Sequence, residues 1–449
     1  MFRNWSRMTY VIMTVVLLLL AACGGAPATS SSGGNGNTSG GGDPSVLDAN
    51  KKYNIEFWEA FATGANKTTL ETLTQQYMKA HPNVTVKLQP YDSYTTLQTK
   101  LTAAIAANKP PALSQIYENW ATQYQQSDAI ESLQPYISGK NGLSQQDLSD
   151  FYPTLLKDGQ INGTQYMLPF NKSDEVVYYN EDALQKLNIA PPTSMTDFVA
   201  DLSKVTKADG SQWGLSFTPS VDEWSILYKA FGGSDFVSND GKSTAFDQGQ
   251  NKAYATAALG TLTPLVKAGV VHVTQAFGWQ NDFIAQKAVF TISTIASYPF
   301  LASGIKGAFK FNEAPIPAGP AGQFTVLFGT NLSIYSGASA DSKAAAWDYM
   351  KFLTSASANA TFVQGTGYMP IRQSVYNSSA LQSYYAKVPA RKVGPQMIDH
   401  AFVASIVPAW QSCRDIITTD FTSVLKSQLT PDAGLTKIAQ DCNAKLAQG

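Results

Sequence analysis

The sequence predicts an α/β protein folded as two lobes, and three observations carry that prediction. Early in the ordered chain, short runs rich in β-branched and aromatic residues alternate with helical periodicity, as in a sheet covered by helices. Composition typical of a folded chain starts near Val46 and continues to the end, and ~400 residues exceed what one hydrophobic core usually holds. No repeat of fixed period occurs, which argues against a solenoid or propeller.

The elements follow in order. Residues 52–58 (KYNIEFW) read as a strand, and residues 68–80 place Leu70, Leu73 and Tyr77 on one helical face. His81-Pro82-Asn83 breaks that helix, and residues 84–88 alternate as a strand. Residues 94–108 are helical, with Leu97, Leu101 and Ile105 in register, and Pro110-Pro111 stops them before a strand over 112–117. Ligands bind at the carboxyl ends of strands in such sheets, which directs attention to Trp58-Glu59 and to Glu118-Asn119-Trp120. Further on, residues 176–179 read as a strand, followed by a helix through Leu187. Ser194 with Asp197 forms an N-cap signal before Phe198, Leu202 and Val205. Strands are expected over 213–217 and 288–292, and over 324–335 with an interruption at Gly329; helices are expected over 251–268, 281–286, 344–353 and 413–425.

The amino-terminal segment reads as an export signal. Arg3 and Arg7 precede an apolar run over 11–20, and Leu20-Ala21-Ala22-Cys23 follows. The run is shorter than the roughly 20 residues that span a bilayer comfortably. The small residues before Cys23 resemble the bacterial lipobox, so residues 1–22 are expected to be a lipoprotein signal peptide and Cys23 the lipidation site. Residues 23–45 are dominated by Gly, Ser, Asn and Thr and read as a flexible tether. Such a chain has a root-mean-square reach of about 25 Å. The expected location is extracytoplasmic, anchored to the cell membrane without crossing it.

Composition and motifs narrow the function classes. A formal net charge of −1 without a basic block argues against nucleic acid as a partner. The chain holds 21 Tyr and 8 Trp, residues suited to polar organic ligands as well as to cores. Its 3 histidines are far apart, with no metal-site spacing, and no cofactor fingerprint or nucleophile elbow occurs. Gly241-Lys242-Ser243 lacks the first glycine of a phosphate loop, since position 236 is Phe236, and reads as a surface turn. Scattered carboxylates leave an exported glycoside hydrolase as the alternative function. Cys413 and Cys442 form an even pair that permits a disulfide, although two buried free thiols would have the same signature.

Several runs together resemble a known family. Leu168-Pro169-Phe170-Asn171-Lys172-Ser173, Val177-Tyr178-Tyr179-Asn180-Glu181-Asp182-Ala183-Leu184, Ile55-Glu56-Phe57-Trp58 and Gly365-Thr366-Gly367-Tyr368-Met369-Pro370 resemble, in order and spacing, the family 1 extracellular solute-binding proteins of ABC importers. The resemblance implies the type II periplasmic-binding-protein-like fold, with a ligand cleft between lobes joined by crossing hinge strands. It implies an N-terminal lobe from 46–176 and 323–373 and a C-terminal lobe from 177–322 and 374–449. It also implies a monomer without catalysis or cofactor, which captures a polyol phosphate, glycerophosphodiester or sugar and delivers it to permease subunits. Carried over from glycerol-3-phosphate binders in this family, the ligand set is Tyr94, Glu118, Ser173, Trp224, Ser297, Gly329, Tyr368 and Arg414. Val221 stands where those relatives carry the first tryptophan of a pair whose second matches Trp224, and a larger pocket is expected from that exchange.

Overall fold

The structure, a computed structural model, describes residues 43–403, 405 and 407–448. The signal segment, Cys23 and almost all of the tether lie outside the described residues.

One mixed sheet runs through the folded chain in two halves. In the first, Val84–Pro90, Tyr53–Glu59 and Leu113–Ile116 lie parallel. Thr325–Ile334 then pairs antiparallel with Leu113–Ile116, with Asn331 opposite Ile116. The long strand Leu168–Asn180 follows, antiparallel to Thr325–Ile334 from Leu168 through Asp174. From Glu175 onward the same strand enters the second half, where it pairs with Ala288–Thr294 and Phe311–Pro315. Trp213–Phe217 and Val271–Val273 complete that half in parallel. The chain thus crosses between two lobes in one direction along Leu168–Asn180 and in the other along Thr325–Ile334.

Local sequence accounts for many element ends. Ser194 caps Met195–Val205 by accepting from the Asp197 N–H, and Ser220 with Glu223 closes a capping box on Val221–Phe231. The strand Trp213–Phe217 matches the expected run residue for residue. Two expectations need correction. The helix expected over 251–268 is two helices, Gly249–Gly260 and Thr263–Lys267, and Pro264 sits at the start of the second, where its missing N–H costs nothing. Gly329 does not interrupt its strand, which continues through it to Ile334 with a register shift between Thr330 and Asn331. Its φ is +88°, and a Cβ there would lie 1.8 Å from the Asn171 carbonyl oxygen, so the crossing strands can approach only with glycine at this point.

Each lobe has its own core. Phe57, Leu70, Tyr77, Trp347 and Tyr349 pack in the first, and Trp224, Phe246, Ile417, Phe421 and Ile438 in the second. A third cluster, including Val176, Tyr178, Leu327, Met369 and Ile371, packs around the crossing. The crossing also buries charge. Lys172 pairs with Asp158 and donates to the Gly329 carbonyl at 3.0 Å, while Asn331 Nδ2 donates to the same Asp158 at 2.8 Å. These partners satisfy a lysine that would otherwise be costly to bury. No helix among the described residues is long and apolar enough to cross a membrane.

Candidate ligand-binding cleft

Between the lobes lies a cavity of about 490 Å³, within the size range of small-molecule sites. Its wall from the first lobe comes from two helix starts. Tyr94 opens Tyr94–Ala106, whose first turn is capped by Ser93 accepting from the Thr96 N–H at 3.1 Å. Glu118 opens Glu118–Gln126, directly after the strand Leu113–Ile116 and Tyr117. The rings of Tyr94 and Tyr117 meet edge-on at 5.2 Å, and Tyr117 meets Trp120 in the same way at 5.2 Å. The Tyr94 hydroxyl accepts from Asn171 Nδ2 at 2.9 Å, and Asn171 Oδ1 in turn accepts from Gln115 Nε2 at 2.9 Å and from the Thr330 hydroxyl. Tyr368 is buried with its ring stacked on Phe362 at 5.7 Å, and its hydroxyl sits against Tyr94, Asn171 and Asn66. This network holds the tyrosine hydroxyls in fixed positions.

The wall from the second lobe is charged. Arg414, on Trp410–Leu425, points its guanidinium at Asp222, at the start of Val221–Phe231. Nη1 donates to Asp222 Oδ1 at 2.9 Å and Nη2 to Oδ2 at 2.7 Å, a bidentate pair. Asp415 and Gln411 line the same side, and Leu327 and Phe328 of the crossing strand form part of the floor. At the mouth, Asn119 Nδ2 donates to Gln411 Oε1 at 3.0 Å, a hydrogen bond from one lobe to the other.

Electrostatics single out Glu118. Burial, then the neighbouring Asp158 carboxylate, pushes its pKa up to about 7, while Lys172 and Arg414 pull it back. Glu118 therefore changes charge near neutral pH. Burial also holds the Tyr94 and Tyr117 hydroxyls well above the usual phenol range, so both remain neutral donors.

The carried-over residues thus separate into groups. Tyr94, Glu118 and Arg414 line the cavity, and Tyr368 joins them through its hydroxyl. Ser173 and Gly329 lie just beneath the floor, Ser173 opposite Phe328 and Gly329 opposite Lys172 in the ladder. Ser297 sits outside this lining; its hydroxyl bonds Ser293 at 2.9 Å in the turn before Tyr298–Ile305. Trp224 corrects the expectation of an aromatic wall. It is 0 % exposed, stacked on Tyr228 at 5.4 Å and edge-on to Phe246 at 5.3 Å inside the second lobe's core. Val221 is also buried in that core, its N–H donating to the Thr418 hydroxyl at 3.0 Å, so its small side chain does not enlarge the cleft. The amphipathic spacing of Val221–Phe231 turns both residues inward and leaves Asp222 on the cleft side.

Sequence reasoning passed over Tyr117, Asp222, Gln411 and Asp415. The strand-end rule reaches Tyr117, and the Ser220–Glu223 capping box marks the helix start that holds Asp222. Gln411 and Asp415 carried no local signal. Cys413 and Cys442 are buried free thiols, not a bridge, and their sulfurs point at each other's carbonyl oxygens at 3.7 and 3.8 Å. The bond with Cys413 and then burial push the Cys442 thiol well up. Gly241 lies in a surface turn, with the Lys242 N–H donating to Asp240 at 3.0 Å.

Comparison with known proteins agrees with this architecture. The chain is 24% identical over 422 residues to the sn-glycerol-3-phosphate-binding periplasmic protein UgpB of Rhizobium meliloti, covering 89% of this chain and 95% of that one. The GacH receptor of Streptomyces glaucescens, solved unliganded and with acarbose, superposes with a TM-score of 0.75 at 21% identity, covering 88% of this chain and 98% of the receptor. UgpB of Mycobacterium tuberculosis, solved with glycerophosphocholine, superposes with a TM-score of 0.75 at 20% identity over the same shares, 88% and 98%. These likenesses show the two-lobe fold. The bacterial extracellular solute-binding protein family matches residues 72–390, and with that match over most of the folded chain, this protein belongs to the bacterial extracellular solute-binding proteins.

Proposed function

We propose that the chain is a lipid-anchored receptor that captures a small polyhydroxylated solute between its lobes and delivers it to the permease of an ABC importer. The observation that carries this reading is the cavity of about 490 Å³ between the lobes, with aromatic rings on one wall and hydrogen-bonding side chains on both. Tyr117 and Trp120 offer flat apolar faces to a carbon skeleton. Glu118, Asp415 and Gln411 can accept from hydroxyl groups, and Tyr94 can donate to them. Sugars, glycerol 3-phosphate and glycerophosphodiesters are the solute classes that the names of its relatives support. Closure would bury the solute behind the Asn119–Gln411 hydrogen bond that already joins the lobes here, and the closed form is the one a permease would read.

Calorimetry and thermal shift on the purified receptor test this, against maltose, maltotriose, glycerophosphocholine and sn-glycerol 3-phosphate. One of them is expected to bind with a clear rise in Tm. Binding of none, or hydrolytic turnover of a glycoside, would sink the reading; turnover would favour the glycoside hydrolase alternative. Anchoring is tested separately. Cys23→Ala is expected to leave the detergent phase, and unchanged partitioning would remove the lipid from the proposal.

A further inference from the structure

The charge of the cleft bears on which of those solute classes it accepts. Among the described lining residues, Arg414 is the only cation, while Glu118, Asp222 and Asp415 are acids. Proteins hold phosphates mainly by a guanidinium fork or by the positive end of a helix. Here the chain's own carboxylates occupy the fork and the helix start beside it, that of Val221–Phe231, while the starts at Tyr94 and Trp410 carry no acid in their first turn. The fork of Arg414 is taken by both oxygens of Asp222. The positive end of Val221–Phe231 carries Asp222 and Glu223, and Glu223 accepts from the Ser220 N–H and hydroxyl at 2.7 Å. The Arg414 and Asp222 side chains are only 22% and 7% exposed, so water screens the pair weakly.

We propose that Asp222 is a specificity-determining residue, which neutralises Arg414 and so favours uncharged polyhydroxylated solutes over those bearing a phosphate. An entering phosphate has either to break the bidentate pair or to take the remaining N–H groups of Arg414, and in both cases it sits beside the Asp222 carboxylate. A neutral hydroxyl can donate to Asp222, Glu118 or Asp415 while the pair stays closed. The inference rests on the solute-binding reading of this cleft.

The test uses the purified receptor as wild type, Asp222→Asn, Asp222→Ser and Asp222→Asn with Arg414→Gln. Each is titrated calorimetrically with sn-glycerol 3-phosphate and with maltotriose. Wild type is expected to bind sn-glycerol 3-phosphate weakly or not at all. Asp222→Asn, or Asp222→Ser if the first does not fold, is expected to strengthen it by roughly tenfold or more. That gain should fall with added salt and vanish when Arg414 is also replaced. A folded Asp222 variant with no gain, or a gain that survives loss of Arg414, overturns the proposal. If neither Asp222 variant folds, the wild type decides: micromolar or tighter affinity for sn-glycerol 3-phosphate overturns the proposal, and undetectable binding supports it. If maltotriose fails but the Arg414-dependent gain appears, the sugar class is lost from the functional reading while the role of Asp222 is supported.

Discussion

The two walls of the cleft are built in different ways. The first-lobe wall comes from one stretch of chain, Tyr94 to Trp120, in which two helix starts bring three aromatic rings into edge-on contact. The second-lobe wall joins helices whose contacting residues, Asp222 and Arg414, are 192 positions apart, and its chemistry is that of a closed ion pair beside further polar groups. The first offers shape and fixed hydroxyls; the second sets charge. Aromatic side chains lose little entropy on ordering and suit a preformed surface, whereas a buried ion pair fixes which charges a visitor can bring. A receptor divided in this way can change solute charge by altering one wall and solute shape by altering the other.

Four substitutions probe that division, from the largest effect to the smallest. Trp224→Ala would break it if the second lobe also supplied an aromatic face. Because Trp224 is fully enclosed, the expected result is a loss of about 3–5 kcal/mol in unfolding free energy. Solute affinity of the folded fraction should stay near native. Denaturant melts and titration of the same sample separate these effects; strong weakening of binding without loss of stability would put the indole back in the cleft.

Trp120→Ala should act in the opposite sense. Removing a ring from the aromatic wall is expected to weaken a sugar by roughly 10- to 100-fold, about 1–3 kcal/mol. Trp120 is only 5% exposed, so some stability is lost as well, and affinity must be read at a temperature where the variant is folded. Unchanged affinity would mean that the solute sits against the charged wall alone.

Glu118→Gln sharpens the comparison through pH. With its pKa pushed up to about 7, Glu118 gains its negative charge between pH 6 and pH 8. Its power to accept from solute hydroxyls rises with it, so affinity should increase by up to about tenfold across that interval. The Gln variant should be flat. Stability runs the other way. Burial also raises Glu59, Glu223 and Glu313 to about 7, so from the ordinary carboxylate range up to about 7 the folded chain keeps protons that the unfolded chain has released. Stability contributed by these groups is present at the acid end and is lost as pH rises through that window. Tm should therefore be higher at pH 5 than at pH 8, and the reverse slope would count against these carboxyls as the cause.

Asn119→Ala is the mildest. The hydrogen bond from Asn119 to Gln411 spans the two walls and is partly open to water, so its net worth is about 0.5–1.5 kcal/mol. Solute dissociation in stopped flow should speed up by roughly two- to tenfold with little change in Tm. An unchanged off-rate would show that this bond does not hold the cleft shut.

Much of the first wall was legible in the sequence and little of the second, for a physical reason. Strand ends, proline stops and caps are local signals, and they led from residues 112–117 to Glu118-Asn119-Trp120. The ion pair has no local signature, because either residue alone reads as an ordinary polar position on a helix. The crossing was also hard to read. Lys172, Asp174 and Glu175 are charged residues inside a fully buried strand, and Lys172 is tolerable there only because Asp158 and the Gly329 carbonyl, both distant in sequence, receive its ammonium. Glycine at 329 looked like a strand breaker, yet it is what lets two strands pass close together. Trp224 misled because resemblance carried over a residue type without its orientation on the helix.

The place of Thr325–Ile334 between Leu113–Ile116 and Leu168–Asn180 has a consequence for how the chain is made. The first half of the sheet has a gap at its centre until that strand arrives, about 220 residues after Ile116 has emerged, which is roughly 10–40 s of synthesis. Through that interval the early segments cannot complete their core. Were the chain exported unfolded, as the proposed lipid anchor would require, the delay would be useful, because a chain that cannot finish folding until late stays threadable. Moving this strand next to its neighbours by circular permutation should let the first lobe fold early, and the cost should appear as slowed export rather than weakened binding.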